Sequence, residues 1–328
     1  MSSQLTSPTR ATGARPAVLL PALVLSAVVL LLLLSRVDPD HDAAAQVGSA
    51  ARLAMHVAGV LTVGWLSLTA LVLDRTGGPL SDSQRGCLRP AAGAARLWAL
   101  TSGAVGVLTA LSASPARPDE QAVGAAHAAG PAVGLPLLAV PAIAVLVSLA
   151  APRLRTADAA NALLALAVAG VVLPVAAGHT GAAHGDPGAV VAVSLHVASG
   201  SIWIGGLLAL LALFRSAPHV VEEALPRFSG LALLCVAVLG TSGLVTAATR
   251  VDGVEALTGT GYGRLLVLKA LLLVVACVLG ALQRRTVLAG LPERGVTAAF
   301  RRLATAEVVV LLVVLGVGAA LSHSSVGH

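Results

Sequence analysis

"LHVASGSIWIGGLLALLAL" (195–213) sets one histidine in a stretch of otherwise apolar and small residues. A run of about 20 such residues is what a bilayer-crossing helix requires. Its opening recurs 140 residues earlier in "MHVAGVLTVGWLSLTALVL" (55–73), so that His56 corresponds to His196. The same displacement carries Arg75 onto Arg215 and Thr101-Ser102-Gly103 onto Thr241-Ser242-Gly243. Apolar resemblance is cheap between membrane helices. A histidine, an arginine and a Thr-Ser-Gly triplet kept in register without a gap indicate duplication. A displacement spanning four helices preserves orientation, which predicts parallel repeats with a site near their interface.

The rest of the chain agrees with a membrane solvent. Of its 328 residues 57% are hydrophobic and 11% charged, against about 25% charged in soluble domains. Mean hydropathy is +0.91. Aromatics make up only 2%, so Ala, Val, Leu and Gly supply the apolar character and suit close backbone approach. The predicted class is an all-α, polytopic transmembrane helical bundle. Nine spans are expected: 17–35, 51–73, 95–113, 132–151, 158–178, 188–214, 228–249, 262–282 and 303–322. The first reads as a retained helix rather than a cleaved signal peptide, because its apolar run is long for a signal core. Pro136 and Pro141 predict a kink in the fourth. The expected organisation is a tail over 1–16, an N-terminal membrane half over 17–157 and a C-terminal membrane domain over 158–328.

Arginine placement sets the expected orientation. With the N-terminus inside, fifteen arginines fall on the inner side and five on the outer, a strong positive-inside bias. The net charge of +6 therefore reflects topology, and no basic tract interleaved with aromatics suggests nucleic-acid binding. The C-terminus is expected outside, in a multi-pass cell-membrane protein.

The histidines then sort to one side. His41, His127, His179 and His184 fall in outer loops, His323 and His328 in the outer tail, and His56 and His196 near the outer ends of spans two and six. Only His219 is placed inside. Ionisable residues within membranes are costly and mark function, and imidazole is a common transition-metal ligand. The candidate metal ligands are His56, His179, His184, His196 and His323. Met55, beside His56, points about 100° away on a helix and reads as packing. Cys87, Cys235 and Cys277 are scattered without a CxxC, so a thiolate cluster is not expected. Lys269 sits deep in span eight with no evident partner, and Glu307 in span nine is expected to meet Arg284, Arg285 or Arg302 at the inner interface.

Several stretches of the second half, taken in order, carry a family resemblance: Gly178-His179, "LHVASGSIWIGGL", "RFSGLALLCVAVLGTSGLVTA" (227–247), "YGRLLVLK" (262–269) and "FRRLATAEVVVLLVVL" (300–315). Together, over about residues 175–325, they resemble the copper resistance protein D family of bacterial inner-membrane proteins. The resemblance implies copper transport into the cytoplasm, often beside a periplasmic copper-binding partner, and in some lineages supply to cytochrome oxidase assembly. No fused soluble copper-binding domain and no Met-rich tract is present, so a separate extracytoplasmic donor would be needed.

Copper permeation or handling is thus the expected function. Two alternatives use the same residues differently. Paired helix histidines at one depth also match axial ligation of a b-type haem in an electron-transfer protein, and an assembly factor would bind a partner without transport. Hydrolytic enzyme chemistry is not expected, since no HExxH, nucleophile elbow or P-loop occurs.

Overall fold

The computed structural model describes residues 43–73, 78–112, 120–182, 187–248, 254–288 and 298–321. The tail and the span predicted at 17–35 lie outside them. The described residues form helices α1 (Ala43–Ser67), α2 (Asp82–Ser112), α3 (Glu120–Ala150), α4 (Ala157–Ala182), α5 (Pro187–Phe214), α6 (Pro218–Ala248), the short α7 (Val254–Gly259), α8 (Gly261–Gln283) and α9 (Ala298–Leu321). π-Helical turns extend α1 over Leu68–Val72 and α8 over Arg284–Leu288. Seven of these helices, α1 to α6 and α8, are long and apolar enough to cross a membrane. The protein is an all-α membrane bundle.

The helices fall on spans two to nine, with one systematic difference at their starts. α2 begins at Asp82, not at 95, and α6 at Pro218, not at 228. Both early turns carry charge on their exposed side (Arg85 and Arg89 in α2, Glu223 and Arg227 in α6). Hydropathy marks where a helix enters lipid, whereas backbone hydrogen bonding carries it on into the interface. α3 runs as one helix through Pro136 and Pro141.

The repeat extends beyond the motifs that revealed it. Displaced by 140, α1 with its π turn falls on 183–212, against the observed Pro187–Phe214; α2 falls on 222–252, against Pro218–Ala248. α3 falls on 260–290, against Gly261–Gln283 with its π turn, and α4 on 297–322, against Ala298–Leu321. Hydrogen bonding follows the same register. Thr101 Oγ1 donates to the Leu97 and Trp98 carbonyls, as Thr241 Oγ1 does to those of Ala237 and Val238.

The two repeat-related helices α1 and α5 form the axis. α1 packs on α2, α4 and α5, while α5 packs on α1, α4, α6 and α9. In α1, 89% of the membrane-length window is buried inside the protein, compared with 11% in α8. α8 is therefore a peripheral, lipid-facing helix and α1 a core one. α1 and α5 cross at Gly64 and Gly205, one residue off the repeat register. A Cβ on Gly205 would overlap the Val60 carbonyl oxygen and lie 2.9 Å from Gly64 Cα. Beside this point Gly206 admits the Phe228 ring of α6. The Gly205-Gly206 pair thus serves two neighbours. In the first half, Trp98 fills the space over Gly59 and Gly170.

One end of the first half is tied by polar contacts. Ser81 and Gln84 exchange bonds at the start of α2, Ser81 N–H to Gln84 Oε1 (2.8 Å) and Gln84 N–H to Ser81 Oγ (3.3 Å), a capping box. Gln84 Nε2 then donates to the Thr69 and Leu73 carbonyls at 2.9 and 3.1 Å, closing carbonyls freed by the π turn. Gly78, at φ 113°, turns the link so that its carbonyl accepts the Ala157 N–H. Gln84→Ala is expected to lower stability by about 1–3 kcal/mol, since buried carbonyls lose their donors; denaturant unfolding in detergent micelles would measure it.

Candidate functional site

The membrane polar groups of the second half lie in two layers. The first layer, toward the N-terminal end of α5, is built on His196 in the third turn of that helix. Its ring is half-buried and turned toward α6, where Nδ1 lies 3.3 Å from the hydroxyl of the buried Ser242. Ser242 Oγ also donates to the Leu239 carbonyl at 3.2 Å. The contact engages Nδ1 of the ring, and the Nδ1–H tautomer, with Ser242 Oγ accepting, would leave the lone pair on Nε2. This is how metal-binding histidines are commonly oriented, with one ring nitrogen held by a neighbour and the other free to ligate. Gly243 leaves room for the ring, since a Cβ there would touch His196 Cε1 at 3.4 Å.

Lys269 of α8 completes this layer. Its side chain is half-buried and its ammonium turns inward against Gly318 of α9, where a Cβ would stand 3.5 Å from Nζ.

The second layer is built on Glu307, which is 3% exposed. Trp203 Nε1 donates to Glu307 Oε1 at 3.1 Å. An arginine partner was expected for this carboxylate; Arg284 instead donates to Ser229 Oγ at 3.3 Å. Burial explains the difference. The guanidinium remains at the exposed end of α8, whereas Glu307 faces inward under the indole. A cavity of about 220 Å³ opens here between α5, α6, α8 and α9, lined among others by Trp203, Phe228, Cys277, Gln283 and Glu307. Between the layers stand Cys235, Leu239, Leu311 and Leu312, all buried. Along α5, His196 and Trp203 are separated by about 10 Å of helix rise.

Of the five predicted ligands, the structure describes the side chains of two. His196 has the partners above, and His56 is half-buried in α1. His179 lies in the last turn of α4, with its side chain outside the described set; His184 and His323 lie outside the described residues. Among the described residues, no three His, Cys, Asp or Glu side chains converge as a metal site would require. Met55 is buried in the core, as its packing reading required.

The repeat accounts for what the first half lacks. Ser102 bonds to the Ala99 carbonyl at 3.1 Å, as Ser242 does to that of Leu239. The positions matching Trp203 and Glu307 are Val63 and Ala167, both fully buried. The His and Ser elements are therefore common to both halves, while the indole–carboxylate pair belongs to the second alone. Trp203 and Ser242 were quoted within sequence motifs, yet neither stood out as chemistry; their roles come from contacts across helices.

Fold and polar layers together define a multi-pass helical membrane protein with its buried chemistry concentrated in the second repeat. Residues 222–321 match the family described as Copper resistance protein D, the family that the sequence motifs resemble. The matched segment runs from α6 to the end of α9, so it includes Ser242, Lys269 and Glu307 and stops short of His196. The chain is also similar to the "Copper transport protein CutJ" of Bacillus subtilis (strain 168), at 36% identity over 104 residues. That similarity covers 28% of this chain and 19% of the relative, so the chain spans about a fifth of its length. No solved structure matches.

Proposed function

We propose that this protein carries copper across the cell membrane, receiving it at the outer face through His196 and passing it toward the cytoplasm. The observation that carries this reading is the Ser242–His196 pair, a membrane-span imidazole with one ring nitrogen 3.3 Å from a buried hydroxyl. The match of the adjoining segment to the copper resistance protein D family supports the choice of metal. His179, His184 and His323 are the further ligands assigned to copper before it reaches His196, and His56 supplies the corresponding position in the first repeat. A separate extracytoplasmic copper-binding protein acts as donor. The N-terminus is cytoplasmic, the C-terminus extracytoplasmic, and the chain acts as a carrier rather than an enzyme. In this reading the chain keeps an N-terminal membrane half over 17–157 and a C-terminal membrane domain over 158–328.

The test is cellular copper accumulation with metal analysis of the purified protein, comparing the wild type with the His56→Ala/His196→Ala double variant. Loss of bound copper and of uptake is the expected result; unchanged stoichiometry and uptake would remove the proposal. Ser242→Ala is expected to weaken copper binding by about 10-fold or more, because partners that orient a ligand are worth about 10–100-fold in affinity. An absorption spectrum of the same preparation is expected to show no Soret band. Such a band, lost in the double variant, would make the histidines haem ligands.

A further inference from the structure

The cavity of the second layer holds a carboxyl for which outer-face copper capture has no use. Glu307 is the tenth residue of α9, about 14 Å along the helix from its start. Trp203 donates to one of its oxygens, and among the described residues no ion pair reaches it. The cavity beside it, about 220 Å³, far exceeds the roughly 10–15 Å³ that one enclosed water needs on a comparable measure. Gly280 of α8 lies against the carboxylate, the position of its missing Cβ being 3.5 Å from Oε1, at ordinary contact distance.

A carboxylate buried at membrane depth without a cation is costly, so it must either bind a proton or recruit a cation. The indole N–H can only donate. It therefore bonds to the carboxylate, and more weakly to the carbonyl oxygen of the neutral acid, and it holds the group in place through a change of protonation. Of the titratable and charged groups lining the cavity around Glu307, α8 supplies Cys277 and Arg284, while α5, α6 and the rest of α9 supply none. Arg284 stands at the end of the bundle that also carries Arg285, Arg301 and Arg302, all exposed. The cavity reaches toward that end through Arg284, one of its lining residues.

We propose that Glu307 is a proton-exchange site, taking a proton from the water of this cavity and returning it there while Trp203 holds the carboxyl in place. The inference does not depend on the copper reading and is tested without copper.

The probe is dicyclohexylcarbodiimide, applied to the full-length protein in phosphatidylcholine vesicles and followed by peptide mass spectrometry. The acid's proton moves to a carbodiimide nitrogen as the carboxylate oxygen bonds to the central carbon, and rearrangement yields an N-acylurea with nothing lost. Glu307 is expected to carry the adduct, with a yield falling at least about tenfold between about pH 6 and about pH 9 as the acid form disappears. The His56→Ala/His196→Ala variant is expected to label like the wild type, so failure of the copper reading leaves this result standing. Trp203→Phe is expected to retain the adduct and move the midpoint of its pH profile. No adduct at Glu307, or a yield that is constant across that range, would overturn the proposal. Protection by alkali cations in place of protons would overturn it too, by making the carboxylate a cation site.

Discussion

Gly205→Leu is expected to abolish the folded bundle. Cores accept extra volume when a neighbouring side chain can move, at a cost of about 1–3 kcal/mol. At Gly205 the obstacle is backbone: the Val60 carbonyl and Gly64 Cα of α1 occupy the position of the missing side chain. Relief would require α1 and α5 to separate along the axis on which α2, α4, α6 and α9 are also packed. The cost is therefore expected to exceed about 3 kcal/mol. It would be read as loss of monodisperse protein in detergent and of a cooperative unfolding transition. Gly64→Leu should behave alike. Gly103→Ala is the control, because a Cβ there meets nothing within 4 Å and alanine favours helix over glycine by about 1 kcal/mol. A Gly205→Leu protein with the wild-type transition would show that the axis does not depend on this contact.

How these features were read from the sequence follows from the range of each interaction. Span positions depend on local hydropathy, and α1 to α6, α8 and α9 all fall on expected runs. Helix starts depend on hydrogen bonds that continue past the lipid boundary, so Asp82 and Pro218 precede the apolar runs by a dozen residues or so. The repeat was legible because a duplication preserves register. His56/His196 and Ser102/Ser242 are the positions that kept their chemistry. The close approach at Gly205-Gly206 depends on tertiary packing, because its partners Gly64 and Phe228 come from other helices. The Trp203–Glu307 bond joins residues 104 positions apart. Sequence proximity favoured the nearer arginines for that carboxylate, and only the fold shows that α9 turns it inward beneath α5.

Lys269→Met is expected to tighten copper binding at His196 and to slow delivery. Lys269 turns its ammonium into the same layer, and a fixed positive charge weakens the hold on a cation bound nearby. Removing the ammonium while retaining most of its length should therefore raise affinity by about tenfold, or about 1.4 kcal/mol. A carrier needs its ion to leave as well as arrive. A copper ion relieved of this repulsion would stay in the first layer, separated from the cavity of the second by the apolar stretch that includes Leu239, Leu311 and Leu312. Binding and accumulation are thus expected to move in opposite directions: competition against a chelator of known affinity would show the tighter site, and cells would accumulate less copper. Lys269→Arg keeps the charge and should retain wild-type affinity. Equal affinities in the wild type and Lys269→Met would mean that copper does not bind within reach of this lysine, and would move the copper site away from His196.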